Sequence, residues 1–115
     1  MTTADPDEAL VENLLLMRGH LRVGQELVAA GRVKDAAMHF AHPLSEVWEE
    51  VEKSIAARGG EDLEHRFEGD LKALQETVER GETGKTYQDR LAAVQGRIRT
   101  AVALVGDEKG NGSAF

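Results

Sequence analysis

Apolar residues recur at helical spacing in four successive stretches of the chain, and polar residues fill the positions between them. The first stripe is Leu10, Leu14, Met17 and Leu21, continued by Gly24 and Val28, with Leu16, His20 and Leu27 on its adjoining edge. The second is Val33, Ala37, Phe40, Leu44, Val47, Val51 and Ile55. The third is Leu63, Phe67, Leu71, Leu74 and Val78, and the fourth Tyr87, Leu91, Val94, Ile98, Ala101 and Val105. Steps of three and four residues put each set on one face of an α-helix. No stretch alternates as a strand would.

Glycine punctuates the pattern. Gly31, the pair Gly59-Gly60, Gly81 and Gly106 each follow the end of a stripe, where a helix most readily stops in the left-handed conformation. At the other end, Asp5-Pro6-Asp7-Glu8 offers a cap, a proline at the first helical position and acidic residues in the first turn. The spacing predicts helices over roughly 6–30, 33–58, 61–80 and 86–105. Short turns favour antiparallel neighbours, so the expected fold is all-α, an antiparallel up-down four-helix bundle. It occupies residues 1–106 as one domain, and the glycine-rich polar stretch 107–115 forms a flexible C-terminal tail. On these boundaries the first two helices outrun the last two. Their ends would overhang the bundle unless a second copy covered them, which predicts a homodimer.

With 115 residues the chain can bury a core of its own. It has no cysteine, which excludes disulfides, thiolate metal sites, a thiol nucleophile and covalent c-type haem attachment. Fourteen basic against 21 acidic residues give a net charge of −7, and the basic residues are scattered singly. Phosphate recognition needs a basic footprint, so nucleic acid is not an expected partner. No apolar run approaches the ~20 residues of a membrane span. The polar, acidic start does not read as a signal peptide, although Met1 could stand where a leader had been removed.

The candidate chemistry lies on the first hairpin. His20 falls at the edge of the first stripe, three residues after Met17, and Gly24 removes a side chain one turn further on. In the second helix His39, His42 and Glu46 project from one side, one turn beyond Asp35, and a turn at Ala30-Gly31-Arg32 would bring that helix back beside His20. Pro43 interrupts the second helix. It removes one hydrogen bond, frees the His39 carbonyl and bends the axis, so that His39 and His42 could swing toward the Met17-His20 edge.

Imidazole, thioether and carboxylate are ligands for copper, zinc or iron, whereas magnesium and calcium prefer oxygen. A bare ion would draw on Met17, His20, His39, His42 and Glu46. A haem b group would draw on Met17, His20, Gly24 and Pro43. The bland reading of the same residues is a core histidine with close packing at Gly24, and a solvated polar flank on the second helix. The Glu-x-x-His motif of di-iron bundles is absent, because His42 precedes Glu46 at a different spacing. His65 falls on the outer face of the third helix.

The segments Leu16-Met17-Arg18-Gly19-His20-Leu21 and His39-Phe40-Ala41-His42-Pro43-Leu44-Ser45-Glu46 resemble uncharacterised bacterial helical proteins that carry an export signal. The resemblance covers the first half of the chain. It implies a mature protein in the periplasm and supplies no activity.

Two look-alikes lead nowhere. Gly81-Glu82-Thr83-Gly84-Lys85-Thr86 ends like a phosphate-binding loop, but Glu79 stands where the first glycine belongs and a helix precedes it. Asn111-Gly112-Ser113 is a three-residue sequon in the tail. Trp48, at the edge of the second stripe, suits a core or interface anchor. No nucleophilic triad is apparent, and no catalytic residue is assigned. The expected function is therefore a metal- or haem-binding helical bundle for carriage, storage or sensing. The competing expectation is a cofactor-free structural or interaction module.

Overall fold

The computed structural model describes residues 6–110, and all regular structure among them is helical. Helix α1 runs Pro6–Ala29 and α2 Val33–His42; a π turn, Pro43–Val47, leads into α3, Trp48–Glu79, and α4 spans Lys85–Gly110. Proline opens α1 as the sequence requires, and Asp7 and Glu8 occupy its first turn, where acids favour the helix dipole. The cap expected at Asp5 and the tail residues 111–115 lie outside the described residues.

Two turns are built alike. Gly31 takes φ 81°, with its own N–H on Val28 and the Arg32 N–H on the Leu27 carbonyl at 2.8 Å. Gly81 takes φ 79°, with its N–H on Val78 and the Glu82 N–H on Thr77. Each pair of bonds satisfies carbonyls that the helix end leaves open, and the left-handed residue between them favours glycine. Gly81–Gly84 is thus a helix–helix turn, with Lys85 and Thr86 opening α4, and not a phosphate loop.

The break at Gly59-Gly60 is made differently. It is no loop: helical hydrogen bonding continues on both sides, and one residue, Gly60 at φ 90° and ψ 161°, absorbs the whole change of direction. The rings of Trp48 and Phe67 meet at 5.1 Å. A straight helix would hold them almost 30 Å apart at ~1.5 Å per residue, so the arms 48–59 and 61–79 of α3 fold back on one another. The turn at Gly60 therefore separates two helical arms with almost no intervening loop.

The four stripes converge on one core. Of the positions anticipated, Leu10, Leu14, Met17, Leu21, Phe40, Val47, Val51, Ile55, Phe67, Leu71, Leu74 and Val78 are buried, as are all six of the α4 stripe. Phe40 and Tyr87 pack edge to face across the centre at 5.9 Å. Arg58 pairs with Asp7, and Arg97 with Asp70 at 2.8 Å, tying helices together at the edge of the core.

At the C-terminal end α4 passes through Gly106 to Gly110, because Gly106 does not take the left-handed conformation that would stop it. At 26 residues α4 is longer than α1 at 24, so the length mismatch expected between first and last helices is not found. No helix among those described is long and apolar enough to cross a membrane.

Candidate metal centre

Helix α1 contributes His20, on the edge between the buried Met17–Leu21 side and the solvent side that carries Leu16 and Val23. Helix α2 contributes His39 and His42, three residues apart and so on neighbouring positions of one face. The Gly31 turn lays these helices side by side, and Gly24 lets them approach closely. A β-carbon at Gly24 would lie 2.8 Å from Cε2 of Phe40, so the space that this glycine leaves is taken by the Phe40 ring. Its role is to set the spacing of α1 and α2.

The three imidazoles consequently meet. His20 and His42 pack edge to face with centroids 4.9 Å apart; His20 and His39 are separated by 5.9 Å and His39 and His42 by 6.0 Å. One ring nitrogen from each can be chosen so that all three lie within 4.8 Å of one another, and all three residues are half-buried. The Nδ1 atoms of His39 and His42 are buried and have no hydrogen-bond partner. Such a group costs about 1–3 kcal/mol unless something satisfies it.

The surroundings of His20 favour its neutral form. Burial lowers its pKa from the usual 6.5, and the nearby His42 and His39 lower it further, against a smaller upward pull from Glu46. A neutral imidazole has a free lone pair, which is the form that binds a metal. Glu46 lies beside the cluster, its Oε2 3.7 Å from Nε2 of His42. It belongs to the π turn, in which the Trp48 N–H reaches back five residues to the carbonyl of Pro43. Proline has no N–H to give the α-helical ladder, and the chain accommodates it by widening one turn. The histidines themselves lie ahead of that turn, in regular α-helix.

The remaining sequence candidates fall elsewhere. Met17 is fully buried in the apolar core, and Pro43 is buried within the π turn. His65 is exposed beside Glu64. Asp35, one turn before His39, is held by Arg32 at 2.7 Å. Met38, four residues before His42 and so on its flank of α2, is exposed at 57%. Trp48, expected as a core or interface anchor at the edge of the stripe, is buried together with its neighbour Val47. The π turn adds a residue to one turn and so brings two consecutive side chains inward.

A scan against family models and searches of curated proteins and of solved structures give no match to this chain. The chemistry has to be read from the side chains.

Proposed function

We propose that this chain is a small metal-binding four-helix bundle, with the two arms of α3 counting as separate antiparallel members. It holds a first-row transition ion between α1 and α2, for carriage, storage or sensing. His20, His39 and His42 are the ligands. The observation that carries this reading is the set of three ring nitrogens within 4.8 Å, two of the rings having a buried Nδ1 that no protein group satisfies. A metal ion would satisfy both, since neutral imidazole is the form that binds a metal.

Nitrogen ligands suit zinc, copper, nickel, cobalt or iron, and affinity among divalent ions should peak at copper. An ion fits better than haem. The three rings already touch pairwise at 4.9–6.0 Å, and a porphyrin would have to push α1 and α2 apart to enter between them. The apolar residues Leu16, Val23 and Met38, exposed near the cluster, favour a second reading as a docking face without a cofactor.

Elemental analysis of tag-free protein after equilibration with zinc or copper and removal of excess decides between the two. The expected result is one ion per chain for the wild type and none for His20→Ala with helix content preserved. Equal metal content in both proteins would overturn the site.

A further inference from the structure

We infer that the centre presents three protein ligands with a fourth position open to a small, weakly hydrated anion, and that Glu46 is a positioning residue and not a ligand. This rests on the metal-site reading above. Glu46 stands outside the group of nitrogens within 4.8 Å, and its contact is with Nε2 of His42 at 3.7 Å. The other nitrogen of that ring, Nδ1, is the buried one without a partner. The two edges of the ring thus differ: Nδ1 has no protein partner, and Nε2 faces a carboxylate. With the ion on Nδ1, a carboxylate drawn from 3.7 Å to hydrogen-bonding distance of Nε2 would fix the tautomer and raise the basicity of the ligating nitrogen.

Among the described residues no further histidine or carboxylate joins this group. Asp35 is engaged by Arg32 at 2.7 Å. Met17 is enclosed in the core, and Met38, one turn before His42, is 57% exposed. Three histidines with one exchangeable position is the ligand set of a reactive centre; a closed tetrahedral shell is the mark of a structural one.

The outer side of the site also has a chemical character. Leu16 and Val23, one turn before and one turn after His20, are exposed at 52% and 42%, and they form apolar shoulders beside it. An anion arriving there must shed water against these side chains, which costs least for weakly hydrated ions such as azide or thiocyanate.

Cobalt(II) in place of the native ion makes the coordination visible. Cobalt-loaded protein is titrated with sodium azide, with sodium sulfate as the control, while the visible spectrum and bound cobalt are recorded. The expected result is a saturable spectral change with azide, none with sulfate, and no loss of cobalt. Glu46→Gln should still load cobalt and answer azide, with about 10-fold weaker cobalt affinity.

A loaded protein whose spectrum ignores azide would overturn the open position while leaving the metal site standing. If Met38→Leu then gained an azide response, Met38 would be identified as the fourth ligand. Loss of cobalt in Glu46→Gln would make Glu46 a ligand, and unchanged affinity would remove its positioning role. Failure of the wild type to load any cobalt would sink the metal-site reading itself.

Discussion

His20 on α1 and His42 on α2 meet edge to face with their ring centroids 4.9 Å apart, and the contact exists because Gly24 lets Phe40 sit against α1 one turn away. The polar cluster and the apolar core therefore share a single spacing, that between α1 and α2. Changing the spacing should disturb both.

Gly24→Ala tests this relationship. The new methyl would overlap the ring of Phe40, which is itself buried against Tyr87 and cannot simply rotate away. Overpacking of this kind costs about 1–3 kcal/mol. Urea unfolding should show a lower midpoint at constant slope, and zinc affinity should fall in the same variant. A stable variant with unimpaired binding would show that the two are uncoupled.

The pH dependence of the apo protein should carry the mark of His20. Its pKa is lowered in the folded chain and returns to about 6.5 when unfolded. The unfolded state therefore binds more protons just below that value. The contribution of neutral His20 to stability is complete above pH ~6.5 and is lost as pH falls toward the folded pKa. Denaturant midpoints between pH 7.5 and 5 should fall more steeply for the wild type than for His20→Asn. Parallel curves would count against the inferred burial of a neutral ring.

Gly60 and Gly69 should respond oppositely to alanine. Gly60, at φ 90° and ψ 161°, occupies a region nearly reserved for glycine, so Gly60→Ala should cost about 1–3 kcal/mol although nothing lies near the new methyl. Gly69 lies within α3 in helical conformation with open space around it. Gly69→Ala should stabilise by about 0.5–1 kcal/mol. Thermal melts of the two variants provide the comparison, and a neutral Gly60→Ala would contradict the single-residue reversal.

His65→Ala is the matched control for the proposed metal site. His65 is exposed, with Glu64 beside it. Its removal should leave zinc stoichiometry and affinity unchanged, whereas His39→Ala should reduce affinity by at least about 10-fold. A drop in His65→Ala would point to a surface site instead.

The helices were legible because each stripe repeats every three or four residues, and the cluster was legible because one turn at Gly31 relates His20 to His39 and His42. Other features depended on contacts that spacing does not carry. Met17 and His20 are neighbours on α1, yet the helix edge between them divides core from site, and only the packing of α2 fixes where that edge falls. Gly24 suggested room for a cofactor, and the room is filled by Phe40. Pro43 announced an irregularity without revealing its form: the extra residue of a π turn, which draws Trp48 inward and sets Glu46 beside His42. Gly106 has the composition of a helix stop, but the dihedral angle decides, and there α4 continues.

All three imidazoles of the proposed site lie on a single hairpin closed by the Gly31 turn, so that site has low contact order. During synthesis its ligands would leave the ribosome before Phe67 or Tyr87, the aromatic partners that complete the core around Trp48 and Phe40, had been made. An ion captured at that stage would staple α1 to α2 and reduce the chain entropy left for the later helices to overcome. Metal availability would then govern how fast the protein folds as well as how stable it becomes.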